Sequence, residues 1–168
     1  MRRSTVLLVA VLAVWTQAAN SLVNGGFENG MEGWKNNGGE VSPESYQGEL
    51  ACTIRQTTPR WSNVSQSVLV PEGAKSVNAS GWLRSDSVRG GKENWERGRI
   101  SLEFHDAEGD TVGGYPPAVG QVRGRQAWTR VSRSYPIPVG AKSVALECAL
   151  ANSTGTLYCD DLVLEFVQ

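Results

Sequence analysis

The chain is poor in the residues that carry metal and redox chemistry, with three cysteines, one histidine and two methionines in 168 residues. Cys52, Cys148 and Cys159 lack the CxxC spacing of common zinc sites, so a thiolate metal centre is not expected. An odd count in an oxidising compartment allows one internal pair and leaves one thiol. Cys148 and Cys159, which flank an expected hairpin, are the expected pair. His105 has no nucleophile motif around it. Charge of either sign is not in excess: 16 basic against 17 acidic residues give a net charge of −1, and setting aside Arg2 and Arg3 takes it to −3. That balance speaks against a nucleic-acid partner. Long helical patterns are lacking too, and beyond one N-terminal run no apolar stretch approaches a membrane span, so no membrane partner is expected.

That run opens with Met1-Arg2-Arg3, continues apolar from Val6 to Trp15 and ends in the small residues Ala18-Ala19, the pattern of a secretory signal peptide over residues 1–19. Residues 20–168 then form one domain, expected to be secreted into an extracellular or periplasmic space. No cysteine stands beside the cleavage region and no C-terminal anchor pattern is present, so a lipid anchor is not expected. What the chain has in quantity is 19 glycines and six tryptophans, one of them in the leader, which suits an all-β domain with tight turns and aromatic surfaces.

Alternation predicts strands at Leu50 to Arg55, Val64 to Val70, Ser76 to Arg84, Ile100 to His105, Trp128 to Tyr135, Ser143 to Leu150 and Thr156 to Phe166. Two of them have an apolar side and a chemically rich one. Trp82 and Arg84 share the rich side of the first, Glu103 and His105 that of the second. The irregular stretches between carry Trp95 and, in Gly113-Gly114-Tyr115-Pro116-Pro117, a segment that cannot be regular structure. One echo stands out: Pro71-Glu72-Gly73-Ala74-Lys75-Ser76-Val77 recurs as Pro138-Val139-Gly140-Ala141-Lys142-Ser143-Val144. A single repeat at that spacing is no solenoid, and it predicts two equivalent corners where the chain crosses between the sheets of a sandwich.

The last strand, Tyr158 to Phe166, holds Asp160-Asp161 inside an apolar run, and alternation puts Asp160 on the side of Leu162 and Leu164. A buried carboxylate needs a partner. Asn24-Gly25-Gly26-Phe27-Glu28 offers one, through Glu28 and a backbone that glycines allow to come close. Two readings are open: a calcium site joining the two ends of the domain, completed by backbone oxygens, or a hydrogen-bonded acid pair at a strand entrance.

LVNGGFENG, GW, YQGELACTI, WSNVSQSVLVP, SGWLRS, AWTRVSRSYPIP and YCDDLVLE follow one another in an order that resembles the carbohydrate-binding modules of the four, nine and twenty-two group, over Leu22 to Phe166. The resemblance implies a jelly-roll β-sandwich of two antiparallel sheets, a groove or sheet face for polysaccharide or glycan, and a structural calcium. It carries the calcium position onto Glu28 and Asp160, with a carbonyl near Gly48 as an addition. It implies that Trp34 and Trp128 pack against the core and leaves Trp61 between core and rim. Such modules are often attached to polysaccharide-degrading enzymes, so a separate enzyme of that kind or a surface protein is a candidate partner.

Sugar binding needs flat apolar faces beside hydrogen-bonding groups. Trp82, Arg84, Glu103 and His105 would supply one patch if their strands are neighbours, walled by Trp95 and Tyr115. Trp82 could instead be core, and the loop aromatics plugs over it. Catalysis is not expected, since the spacing of Glu103 with Asp106 or Glu108 shows nothing specific to a glycosidase pair. The other binding reading is a protein-adhesion or matrix domain on the same scaffold. Asn63, Asn78 and Asn152 begin glycosylation sequons, and a glycan on Asn78, which shares a side with Trp82, would cover the proposed patch.

Overall fold

A computed structural model describes residues 19–168; the signal-peptide reading of 1–19 falls almost wholly outside the described residues. Among the described residues nine strands and no helix are formed: β1 (Lys35–Asn37), β2 (Gly39–Ser42), β3 (Ala51–Leu69), β4 (Ser76–Gly90), β5 (Gly98–His105), β6 (Thr111–Val112), β7 (Gly120–Val122), β8 (Gly124–Pro136) and β9 (Ser143–Val167). The expected pairs Leu50 to Arg55 with Val64 to Val70, and Ser143 to Leu150 with Thr156 to Phe166, are each one long bent strand. No hairpin lies between Cys148 and Cys159, because β9 runs on through Asn152 (φ 41°) and Gly155 (φ 103°). β3 bends where its register with β9 breaks between Gln56 and Trp61.

These bends let one hydrogen-bonded ladder serve two layers. In the first, residues 143–151 of β9 lie between residues 61–69 of β3 and β5, with β1 beyond β3 and β6 and β7 beyond β5. In the second, residues 155–167 of β9 pair with β4 and residues 52–56 of β3, with β8 and β2 outermost. All pairs are antiparallel, and the architecture is the expected jelly-roll sandwich. Alternation buries Val64, Leu146, Cys148, Leu150, Ile100 and Leu102 from the first layer against Ile54, Leu83, Val77, Leu157, Cys159 and Leu162 from the second. At Gly81 an added Cβ would stand 2.4 Å from Leu162 and 3.1 Å from Ile100, which marks how closely the layers meet.

The two echoed segments are equivalent corners. Ala74 N donates to Pro71 O as Ala141 N does to Pro138 O, and the turns lie side by side through Val70 N to Lys142 O and Ile137 N to Lys75 O. One carries the chain from the first layer into β4, the other from β8 back into the first layer.

Cys148 and Cys159 form the disulfide, Cα atoms 6.9 Å apart, from opposite layers. Cys52, opposite Cys159 in the ladder, is free and buried, and burial pushes its thiol up to about 12. Replacing Cys148 and Cys159 together by alanine should lower the unfolding free energy in urea by about 2–4 kcal/mol. Cys52 should resist alkylation at neutral pH until the domain unfolds; an unchanged urea midpoint, or rapid native labelling, would contradict this arrangement.

Candidate functional site

The outer side of the first layer is a lattice set by register. Trp61 stands beside Ala151; then come Asn63, Ala149 and Arg99; Ser65, Glu147 and Ser101; Ser67, Ala145 and Glu103; and Ser143 with His105. The central strand therefore contributes Ser143, Ala145, Ala149 and Ala151, with Glu147 its one large outward side chain. Small residues on the central strand, flanked by Trp61 and Asn63 on β3 and by Arg99, Glu103 and His105 on β5, make a trough. Two depressions of about 600 and 700 Å³ occupy it, sharing Trp61, Glu103 and Glu147 in their walls.

Loops raise aromatic walls over this floor. Trp95 sits on the β4–β5 loop, its ring centroid 6.3 Å from that of Trp61 at an interplanar angle of 43°. That loop is held by Glu96, which accepts from Glu93 N and from the Asn152 amide; these donors hold its carboxyl below the usual range. Tyr115 stands on the loop before β7, fixed by Tyr135 Oη–H donating to Pro117 O at 2.8 Å. Trp61, Trp95 and Tyr115 are 42%, 43% and 86% exposed, so these rings leave open apolar faces beside the trough.

Polar groups converge between the rings. Trp61 Nε1–H and Asn63 Nδ2–H both donate to Glu147 Oε1, at 2.9 and 2.5 Å. Burial pushes the Glu147 carboxyl above its usual range, against those two donors and the Arg99 charge. Glu103 accepts from Thr111 Oγ1 at 2.6 Å and lies 3.8 Å from His105 Nε2.

Of the residues expected at one patch, Glu103, His105, Trp95 and Tyr115 are brought together here, and Trp82 and Arg84 are not. β4 and β5 belong to different layers, so their outward sides point in opposite directions. Trp82 stacks on Tyr46 at 3.6 Å, Tyr46 meets the edge of Trp128 at 6.2 Å, and Trp128 meets Tyr158 at 6.3 Å. Arg84 lies 4.4 Å over the Tyr158 ring and pairs with Glu44 at 2.6 Å. This cluster clamps the β2–β3 loop onto the second layer. Trp34 is buried, its Nε1–H donating to Asn24 O, whereas Trp128 packs on this outer surface and not in the core. Trp61, Asn63, Arg99 and Glu147 join the trough unannounced. The signal for them was a polar alternation, Trp61, Asn63, Ser65, Ser67, and an acid inside the apolar run Val144 to Leu150.

The acid cluster lies beneath the clamped loop. Asp160 is fully buried; its Oδ2 accepts from Tyr46 N at 2.7 Å and Gln47 N at 3.4 Å, and its Oδ1 from Asp161 N at 2.8 Å. Asp161 (φ 47°) is a bulge, and the register of β9 on β4 shifts between Ser80 and Trp82. Asp160 therefore faces outward with Tyr158, opposite to Leu162 and Leu164, because the bulge resets the alternation assumed from sequence. Glu28 accepts from Glu49 N and Leu50 N, and a Cβ on Gly48 (φ +80°) would stand 2.0 Å from Glu28 Oε1, so only glycine fits there. A Cβ on Gly26 would lie 3.3 Å from Asp161 Oδ1, 3.9 Å from Asp160 Oδ1 and 4.0 Å from Glu28 Cγ. Two carboxylates thus approach one glycine, with the stem of Glu28 beside them. Burial pushes Asp160 and Asp161 up, and Glu28 adds to the rise of Asp161. Among the described residues no three acid, His or Cys side chains suffice to hold an ion by themselves, so backbone oxygens would have to complete a shell.

The family described as carbohydrate binding domain matches residues 19–154. The chain belongs to that family. Among solved structures, it is similar to the CBM22-1 xylan-binding domain of Xyn10C from Paenibacillus barcinonensis, with 21% identity, TM-score 0.61, and coverage of 91% of this chain and 99% of that one. It is similar also to TmCBM61, solved with β-1,4-galactotriose, at 21% identity and TM-score 0.62 over 89% and 100% of the two chains. The enzymatically active domain of tailspike protein 4 from Bacteriophage CBA120 gives TM-score 0.66 at 14% identity; 88% of this chain is covered but it spans 21% of the tailspike chain. No curated protein matches.

In this carbohydrate-binding domain Trp82 is tied to the loop that covers Asp160. Trp82→Ala should therefore cost about 2–3 kcal/mol of stability in urea, somewhat less than a fully buried tryptophan, while the trough on the opposite face keeps its shape. An unmoved midpoint would mean that the Tyr46–Trp82 stack does not hold the loop.

Proposed function

We propose that this domain is a secreted, non-catalytic module that binds polysaccharide or glycan chains in the trough on its first layer. The observation that carries the reading is the pair of half-exposed rings, Trp61 and Trp95, facing the trough beside Tyr115, with hydrogen-bonding groups on the floor between. Pyranose rings offer C–H faces that stack on such aromatics, and their hydroxyls need donors and acceptors within reach. Glu147, Asn63, Glu103, Ser101 and His105 supply both. The two depressions share walls, which suits several consecutive sugar units better than one. Glu147 and Glu103 are engaged by fixed neighbours, which fits them to receive hydroxyl protons in hydrogen bonds. Export rests on the leader-like sequence of residues 1–19. A separate polysaccharide-degrading enzyme or a surface protein would be the partner that the bound glycan serves.

We also propose the structural calcium at Glu28 and Asp160, with Asp161 and carbonyl oxygen near Gly48 as further donors. What supports it is the approach of the Asp160 and Asp161 carboxylates to Gly26 beside the Glu28 side chain, and the upward push on both aspartates. A bound divalent ion would neutralise that cluster and tie the N-terminal segment to β9.

Titration calorimetry against a panel of plant, algal and host polysaccharides tests the first proposal. Trp61→Ala and Trp95→Ala should each weaken the best interaction about ten- to hundredfold, by analogy with aromatic stacking platforms elsewhere, and Arg84→Ala should not. Silence of the wild type across the panel would overturn it. The second proposal predicts opposite pH trends. Asp160 and Asp161 have raised folded pKa values, so their contribution to stability is full below the ordinary carboxylate pKa and lost as pH rises through the raised one. In chelator the melting temperature should rise as pH falls from 7 toward 4. In calcium it should be higher at neutral pH and lose that advantage on acidification. A chelator-independent melting temperature, or an equal calcium effect in Glu28→Gln, would remove the ion and leave the hydrogen-bonded acids.

A further inference from the structure

Arg99 stands on the trough floor, half-buried, and among the described residues its Nε is buried without a hydrogen-bond partner. The other arginines that point into local structure are engaged: Arg60 with Ser62, Arg84 with Glu44, Arg97 with Asn94, Arg125 with Asp86. Arg99 takes part in none of the ion pairs. Its diagonal neighbour on the next strand is Glu147, since Arg99 faces Ala149 and Ser101 faces Glu147 in the ladder. Glu147 Oε1 is taken by Trp61 and Asn63, and Oε2 has no hydrogen bond among the described residues. A donor and an acceptor, on two half-buried side chains, thus share one floor without pairing with each other.

We infer that Arg99 and Glu147 form a donor–acceptor pair that selects neutral, hydroxyl-bearing glycans and rejects uronates. This rests on the trough being the glycan site. A hydroxyl can accept from the guanidinium and donate to the carboxylate at once. A uronate carboxylate accepts but cannot donate, and it would meet two acids, Glu147 and Glu103, against the one cation in that wall. Sites built to hydrogen-bond a hydroxyl discriminate strongly against a group that leaves their buried partners unmatched, and like charges brought together are costly.

The test uses the full mature chain, the hexose polymer that it binds best among neutral glucan, mannan and galactan, and the same polymer oxidised at C6, so that each primary hydroxyl becomes a carboxylate. Affinity electrophoresis should show the neutral form bound at least about tenfold more tightly. Glu147→Gln keeps an acceptor for Trp61 and Asn63 and removes the negative charge, so the preference should shrink to within about threefold. Arg99→Gln should weaken neutral binding about tenfold without lowering the melting temperature, whereas a structural arginine would lower it. Equal or tighter binding of the oxidised polymer by wild type, or an unchanged ratio in Glu147→Gln, would overturn this selectivity while leaving the trough as a glycan site. No binding of any polymer would overturn both.

Discussion

The arrangement depends on one strand having to belong to two layers. β9 is central in both, and a β-strand can serve two stacked sheets only by turning out of one plane into the other. It does so at Asn152 and Gly155, both at positive φ. Before the bend, its outward positions are the small residues and Glu147 that make the trough floor. After it, the outward positions are Tyr158 and Asp160, which receive the β2–β3 loop. The inward positions on the two sides, Cys148 and Cys159, consequently face each other and are joined.

Much of this could be read from residue order. Every strand with clear alternation is present, and the echoed corners lie where the chain changes layer. What alternation cannot supply is the layer itself. Ser76 to Arg84 and Ile100 to His105 both read as strands with one rich side, and nothing local says that β9 separates them across the sandwich. Trp82 and Glu103 therefore look like neighbours in sequence terms and stand on opposite outer faces. The bulge at Asp161 is equally hidden, because Asp-Asp in an apolar run fits the strand period without it. Trp61 and Glu147 were legible in principle. Their strands alternate cleanly, but their meaning depends on the loop that brings Trp95 above them.

The two outer faces use the same materials to different ends. On the second layer Trp82, Tyr46, Trp128 and Tyr158 spend their aromatic surface on one another and on Arg84, and Glu44 completes the charge. On the first layer the rings of Trp61, Trp95 and Tyr115 keep faces open, and the half-buried Glu147 and Arg99 are only partly matched. Self-satisfaction marks the face that holds the fold; unspent hydrogen-bonding capacity marks the face that can accept a ligand.

The placement of the sequons bears on how the protein is made. Asn63 lies on the trough floor with its amide nitrogen donating to Glu147, whereas Asn78 is exposed on β4, on the far face. An oligosaccharide attached at Asn78 would thus leave the trough open and not mask it, while one at Asn63 would break the Glu147 contact and fill the trough from within. Material from a host that glycosylates secreted proteins and material from one that does not are for this reason two different reagents, and a lack of affinity in the former speaks to the occupancy of Asn63 before it speaks to the choice of polysaccharide.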